Sequence, residues 1–369
     1  MSTLLDRQSA TLDFMASKGL STLILAANGL NLIDAPNPVL HLTGFVSYAP
    51  ALAIIRRDGG IRILTVTEND ARNPVDGITI TRTNNLPKAL HEAVAGSPRL
   101  NGVVGIDDLP ASLGLAVETA LSVALTPCDG DFFAATATKT ADELLNATRA
   151  VEIAESGFRE LLALAKPGLR ECDLANSVNA HMRALGADNS FLMLSARPEN
   201  PAIMPSSERR LASGDVILVE LSPSVGGQFV QICRTVILGS AKPMIESRYG
   251  LLVESLTAGI AAVRKGNRVA DICMAINHHM AEAGFDEFSR PPHIKRRGHG
   301  LGGGSIFPGD VEPENQTVLE NDMLFVVHPN QFLPDAGYMM CGETVRVTDN
   351  GCEILGHEHA RLFFADATC

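Results

Sequence analysis

The sequence predicts a mixed α/β (α+β) protein of two domains, the second of which contains two similar halves. Residues 1 to about 135 alternate helical and strand patterns. Between Gly214 and Leu238, two apolar runs flank a stretch rich in turn residues, which is typical of a β-hairpin. A helical segment at residues 165–186 recurs at residues 263–284. The chain has 369 residues, enough for two hydrophobic cores.

Composition narrows the class of protein. The chain is 46% hydrophobic and 20% charged, as in globular proteins, and no apolar run approaches the roughly 20 residues of a membrane span. The first residues lack a continuous apolar stretch of the secretory type, so we expect a cytoplasmic protein without a membrane partner. A net charge of −12 argues against nucleic acid as a partner. Seven cysteines without metal-finger spacing favour a reducing compartment.

The first domain is predicted over residues 1–138 and the second over residues 139–369. Ala53–Val66 contains two apolar runs around Asp58-Gly59-Gly60, a hairpin signal. Gly102–Asp108 is predicted to be a buried strand that ends in acidic residues. The Ala/Thr-rich stretch at residues 134–140 is the natural boundary between the domains.

A long amphipathic helix is predicted to open the second domain. Thr140-Ala-Asp-Glu143 forms a capping-box pattern at its start. Pro167-Gly168 ends the apolar period.

The repeat predicts that the second domain consists of two equivalent halves. Several residues of the first copy recur 98 positions later, so that Gly168 matches Gly266 and His181 matches His279. A repeated unit implies a pseudo-two-fold arrangement. Because His181 and His279 occupy equivalent helix positions, we expect them to be structural.

The hairpin carries a family resemblance. GDVILVELSP and FVQICRT resemble the pattern of the pita-bread superfamily of methionine and Xaa-Pro aminopeptidases, prolidase and creatinase, also called peptidase M24. NPVLHLTGF and VVGIDD resemble the amino-terminal domain of its creatinase and prolidase members. The resemblance implies a creatinase-like first domain, a pita-bread second domain and a homodimer. Phe45 to Tyr48 would then reach the partner's pocket or pack in their own core, and both alternatives stay open.

The resemblance also implies five ligands for a pair of divalent metals: two aspartates, a histidine and two glutamates. Here the histidine is kept as His299 and the other four positions carry Glu220, Gln231, His328 and Gly342, with Glu343 one residue later. Two further histidines of the family correspond to Ile203 and Ile306. Losing that much negative charge makes a two-metal site improbable, so we expect no metal.

The remaining polar groups predict an acid–base site. His299 and His328 would shuttle protons, while Glu220 or Glu343 would orient water or substrate. The basic segment Lys295–Arg297 would hold an anion. The predicted substrate-binding residues are Gln231, Cys233, Arg234, Arg297 and Tyr48. In the alternative, one divalent transition metal is bound by Glu220, His299, His328 and Glu343.

Three functions remain open at this point. The first is a metal-independent, creatinase-like hydrolase or lyase that acts on a small, anionic molecule at a C–N or neighbouring bond. The second is a catalytically silent pita-bread protein used for binding. The third is an Xaa-Pro peptidase-like hydrolase with one metal. Gln231 and Cys233 each have a structural interpretation as well, as a neutral filler and a buried thiol.

Overall fold

The chain divides into two compact units, and each is described by itself. Residues 1–142 with 303–307 form the first, and residues 143–302 with 308–369 form the second. The computed structural model describes residues 2–71, 75–94, 101–106, 109–110, 113–114, 116–117, 119, 125–305 and 308–366. The assignment of residues 1–138 to a creatinase-like domain stays a prediction.

The first unit alternates helices and strands. Its helices are α1 (Ser2–Ser17), α2 (Pro38–Thr43), α3 (Glu68–Ala71), α4 (Leu86–Val94) and α5 (Asp129–Ala135). Its strands are β1 (Thr22–Ala27), β2 (Ala51–Arg56), β3 (Ile61–Thr65), β4 (Thr79–Arg82), β5 (Asn101–Val104) and β6 (Leu125–Pro127).

These strands form a six-stranded sheet in the order β4-β3-β2-β1-β5-β6. Strand β1 is buried throughout because apolar cores cover both faces of the sheet: Leu23 packs in one and Ile24 in the other. The predicted hairpin at Ala53–Val66 is confirmed as β2 and β3, with Gly59 at a φ of +88° in the turn. The strand predicted over Gly102–Asp108 is present as β5, and Asp107 and Asp108 lie outside the described residues.

The second unit contains longer elements. Its helices are α6 (Ala141–Leu164), α7 (Glu171–Ala184), α8 (Pro243–Ala262) and α9 (Val269–Glu282), with a 3-10 turn at Glu287–Ser289. Its strands are β7 (Asn189–Arg197), β8 (Val216–Val225), β9 (Gln228–Phe229), β10 (Ile232–Leu238), β11 (Gly298–Leu301), β12 (Leu324–Val327), β13 (Gln331–Leu333), β14 (Gly337–Met339), β15 (Glu343–Thr348), β16 (Gly351–Ile354) and β17 (Phe363–Ala365).

Two sheets organise the second unit. The first runs β17-β10-β8-β7 and the second β11-β12-β15-β16, while β13 and β14 pair by themselves. The predicted hairpin is confirmed as β8 followed by β9 and β10. Its first strand continues to Val225, and the turn is confined to Gly226 and Gly227, whose N–H groups both donate to the Asp188 carboxylate. The Asp188 side chain thus stabilises a two-residue turn, where the sequence predicted a longer one.

The repeat is confirmed in backbone detail. Gly168 N donates to Leu211 O at 2.8 Å, and Gly266 N donates to Leu319 O at 2.9 Å. Both glycines have left-handed φ angles, +89° and +88°. Helices α6 and α7 cover one half, and α8 and α9 pack against each other in the other.

The repeated histidines lie on the outer parts of their helices. The His181 ring lies 2.9 Å from the Ser156 hydroxyl, and the His279 ring lies 3.4 Å from the Glu254 carboxylate. Both histidines are partly exposed. Neither contact involves a residue of the predicted site.

The predicted mixed α/β class is confirmed. Across the part of the chain that is described, every helix is too short or too polar to cross a bilayer.

Candidate functional site

Glu220 is a partly exposed residue in the middle of a buried strand, β8. Strand β8 is buried along its length except at Glu220 and its final residue. Glu220 pairs with Met193 on one neighbouring strand and with Cys233 on the other. A half-buried carboxylate in the middle of a buried strand indicates a cavity above it, since a carboxylate inside a dry core would be costly.

Gln231 and His299 meet, as their sequence positions predicted. His299 Nε2 lies 3.1 Å from Gln231 Oε1, and its Nδ1 lies 3.0 Å from Gly300 O. Because a carbonyl only accepts, the proton belongs on Nδ1, and a neutral His299 then needs the Gln231 amide NH2 to face Nε2. The nitrogen that a metal would bind is therefore already engaged.

His328 is a buried, neutral imidazole. Its ring centroid lies 6.0 Å from that of His299, with the two planes at 72°. Burial, with the nearby His299 ring as the next cause, lowers the pKa of His328 to about 3. The expectation that His328 shuttles protons near neutral pH therefore needs correction. At neutral pH this ring can give or take a hydrogen bond, but it carries no charge.

The side chain of His328 depends on the glycine opposite it. A Cβ atom at Gly342 would lie 2.7 Å from the His328 Cβ and 3.2 Å from the Cys233 Cβ. A glutamate at position 342 would therefore force the strands apart. His328 and Gly342, which stand at the positions of the family's two glutamates, are therefore neighbours in space, and the glycine leaves room for the His328 side chain.

Glu343 is held away from any acid–base role. Arg234 Nη2 donates to Glu343 Oε2 at 3.0 Å, and Ala360 N donates to its Oε1 at 2.6 Å. Arg234 is fully buried and also donates to the carbonyls of Gly342 and Glu358. The catalytic role predicted for Glu343 and the substrate contact predicted for Arg234 are replaced by a buried ion pair that joins two strands.

Cys233 is likewise unavailable to a substrate. It is fully buried, and its sulfur lies 3.6 Å from the Gln231 side-chain amide and accepts from Asn330 Nδ2 at 3.9 Å. Burial raises the pKa of this thiol well above its usual value, and the Glu220 carboxylate adds to the effect. The buried-thiol interpretation fits this geometry.

Arg297 and Tyr48 lie elsewhere. The Arg297 side chain lines a separate cavity, whose walls include neither Glu220 nor His299. Tyr48 belongs to the first unit, where its side chain is 82% exposed and its N–H donates to Asp70 Oδ1 at 3.1 Å.

Two further residues near the site were missed in the sequence. Tyr338 lies in β14, and burial, followed by the Cys233 thiol and the Glu220 carboxylate, raises the pKa of its phenol. Asn330 accepts from Cys341 N at 3.1 Å while donating to Cys233. Tyr338 follows a turn glycine, Gly337, with a φ of +76°. That pattern alone does not show which way its ring points.

The architecture around the site defines an α/β protein with the pita-bread arrangement. A Bacillus anthracis Xaa-Pro dipeptidase of known structure superposes with a TM-score of 0.83 at 20% identity, covering 98% of this chain and 99% of that one. An X-Pro aminopeptidase from Thermotoga maritima gives a TM-score of 0.84 at 18% identity, with coverage of 97% and 99%. At these identities the likeness concerns the fold.

Sequence comparison gives the family. The pattern of metallopeptidase family M24 matches residues 146–349, and the chain belongs to this family. An uncharacterized peptidase of Bacillus subtilis (strain 168) is 24% identical over 227 residues, which cover 61% of this chain and 63% of that protein. An uncharacterized peptidase of Staphylococcus aureus (strain USA300) is 25% identical over 223 residues, 59% and 62% of the two chains. The match spans less than two thirds of these relatives' length.

The family name implies metal ions, and the residues present do not fit a pair of them. Two divalent cations bring four positive charges, whereas the predicted ligand positions offer one accessible carboxylate, that of Glu220. Gln231 is neutral, and the Glu343 charge is already matched by Arg234. Within the described ranges, no three His, Cys, Asp or Glu side chains are grouped to hold a metal ion.

Proposed function

We propose that this chain is an M24-family enzyme that acts on a small, anionic molecule without a metal pair. The hydrogen bond between His299 and Gln231 carries the proposal, because it occupies the ring nitrogen that would face a metal and replaces a charged ligand with a neutral amide. The reaction class we favour is hydrolysis or elimination at a C–N or neighbouring bond.

In this scheme Glu220 is the general base. It is the half-buried carboxylate of the site, while Glu343 is neutralised by Arg234. His299 orients substrate or water through its ring, and Gln231 fixes the orientation of that ring. His328, neutral at pH 7, donates or accepts a hydrogen bond at the reacting group, as a neutral imidazole does when burial depresses its pKa.

Turnover in the presence of a chelator tests this scheme. Purified protein is assayed on glycyl-L-proline and on a panel of N-acyl and guanidino acids, with and without EDTA, and its metal content is measured by mass spectrometry. We expect turnover that EDTA does not change and that falls by roughly 10²-fold or more in Glu220→Gln and His299→Ala. His357→Ala serves as the control, since His357 lies on the carboxy-terminal loop that Glu155 holds.

A stoichiometric metal whose removal abolishes turnover would contradict the proposal. It would favour the one-metal hydrolase instead, although that alternative requires His299 Nε2 to leave Gln231 and Glu343 to leave Arg234.

A second function, binding without catalysis, is favoured by one observation. Burial depresses the pKa of His328, and its Nδ1 has no hydrogen-bond partner among the residues that the structure describes, so this ring is a weak proton carrier. A compound that raises the melting temperature but is never converted, by either the wild type or Glu220→Gln, would support this function.

We also propose that the chain forms a homodimer. The first unit exposes Val46 and Tyr48, at 45% and 82%, on one short loop, and apolar side chains that stand out from a surface are typical of contact sites. Sedimentation of the wild type and of Tyr48→Ser tests this. A monomeric wild type with full activity would contradict it.

A further inference from the structure

A second cavity, of about 390 Å³, lies in the second unit apart from the residues proposed for catalysis. Its walls come from α9, from the segment before β11 and from the loop after β11. The charged and polar groups that matter here are Asn277, Arg290, Lys295, Arg297, Glu312 and Glu314. None of Glu220, His299 and His328 lines it.

Arg297 is a buried cation that has no carboxylate partner among the described residues. Its side chain is 1% exposed, with Nε donating to Asn277 Oδ1 at 2.8 Å and Nη1 to Asn330 O at 3.3 Å. Nη2 is shielded from solvent and has no hydrogen-bond partner in the part of the chain that the structure describes. The titratable groups that act on Arg297 are thiols and a phenol rather than carboxylates.

This arrangement is costly unless something supplies the missing charge. A buried guanidinium normally keeps a carboxylate beside it, as Arg234 does with Glu343. Arg297 lines a cavity of metabolite size, so the missing partner is best supplied from outside the chain. A guanidinium suits a carboxylate because its N–H groups match the two oxygens.

The same cavity also carries negative groups. Arg297 N donates to Val311 O at 2.8 Å, which places Glu312 on the segment directly beside Arg297. Burial raises the pKa of the Cys273 thiol to about 11, and the charges of Arg297 and Glu314 both act on that sulfur. Opposite charges therefore lie on the walls of one small cavity.

The ion pairs around the cavity leave Arg297, Glu312 and Glu314 available to a ligand. Lys295 lies 3.9 Å from Glu312 and is 77% exposed, so their interaction is weak. Arg290 is already paired with Asp286 through several short contacts. A simple anion would be attracted by Arg297 but repelled by Glu312 and Glu314, whereas a molecule with both charges satisfies the two sides.

We propose that this cavity binds a free α-amino acid as a zwitterion, its carboxylate on Arg297 and its ammonium group on Glu312 and Glu314. The proposal goes beyond the proposed function, since it concerns a different set of side chains. The cavity nevertheless touches the candidate site through the main chain, because His328 N donates to Arg297 O at 3.0 Å.

Calorimetric titration of the full-length protein with L-alanine, L-leucine and L-proline tests the proposal. N-acetyl-L-leucine lacks the ammonium charge and L-leucine amide lacks the carboxylate. We expect at least one of the three amino acids to bind. A derivative that lacks one of the two charges should bind at least about 10-fold more weakly. Arg297→Met should weaken binding by a similar factor.

Arg264→Gln is the control, because Arg264 is an exposed arginine that lies outside the cavity and donates to Ala261 O. It should leave affinity unchanged. The double variant Glu312→Gln/Glu314→Gln tests the contact with the ammonium group, at one partly exposed and one exposed position. It keeps the proposal testable if Arg297→Met does not fold.

Several results would overturn the proposal. One is that none of the three amino acids binds at a concentration of about 10 mM. Others are equal binding of N-acetyl-L-leucine and L-leucine, and an affinity that the double glutamate variant leaves intact. Loss of binding in Glu220→Gln would place the ligand in the catalytic site instead and would overturn it as well. Failure of the proposed reaction leaves these binding measurements unaffected, so the two proposals fail separately.

Discussion

The two halves of the second unit share a backbone frame and differ in the charges that they place on it. Thr235 Oγ1 contacts both N and O of Met340, and Thr344 Oγ1 contacts both N and O of Gln231, all at 2.8–3.0 Å. Each threonine lies four residues after the position that its counterpart contacts. The main chains of Cys233 and Gly342 bond to each other between these contacts. The hydroxyl contacts are thus related by a pseudo-two-fold axis.

At other equivalent positions the side chains differ. Arg234 in one half faces Glu343 in the other, and together they form a buried ion pair. Glu220 lies beside Cys233 in one half, where His328 lies beside Gly342 in the other. A symmetric scaffold therefore holds an asymmetric site, since hydrogen bonds from threonine fix the backbone whatever charge the neighbouring side chains carry.

The largest expected effect comes from breaking the ion pair that joins the halves. Arg234→Met leaves the Glu343 carboxylate buried and unpaired, and we expect it to lower the free energy of unfolding by about 3–5 kcal/mol. Urea denaturation measures this. Arg149→Met, which removes a half-exposed pair with Glu152, should cost less than about 1 kcal/mol. Equal losses in the two variants would show that the buried pair contributes no more than a surface contact.

His328, the counterpart of Glu220 in the other half, should make the stability of the protein depend on pH. The folded-state pKa of His328 is about 3, below its ordinary value of 6.5. The unfolded chain therefore binds more protons between these values, and stability is lost as the pH falls through this window, by up to about 1.4 kcal/mol per pH unit. His328→Asn should flatten the fall measured by denaturation between pH 6 and pH 4. His278→Asn, at an exposed position, should not. An unchanged slope in His328→Asn would contradict the low pKa.

A smaller effect tests the symmetry itself. Thr235→Val leaves Met340 N without its acceptor, and Thr344→Val does the same to Gln231 N, so each should cost about 1–3 kcal/mol. If the axis relates these contacts, the two losses should agree within about 0.5 kcal/mol. Thr257→Val, at an exposed helix position, is the control and should be nearly neutral. Unequal losses would show that one half depends on its hydroxyl more than the other.

The sequence by itself determined the class, the hairpin and the repeat of this protein. The signals for these features are local. They are the spacing of apolar residues, turn glycines such as Gly59, and recurring pairs such as Gly168 and Gly266, and each acts through the backbone conformation of its own segment. The positions of Glu220, Gln231 and His299 followed from the hairpin and from the family pattern, and the structure brings Gln231 and His299 into contact.

Only the tertiary structure decided which of the polar residues are open to chemistry. Glu343 looked like a candidate acid in the sequence, but Arg234, more than 100 residues away, neutralises it. The difference between Arg297 and Arg234 was likewise invisible, since both are basic residues close to family motifs. Both side chains are buried, and only the presence or absence of a carboxylate partner distinguishes them. That depends on strands that meet through long-range packing rather than on spacing along the chain.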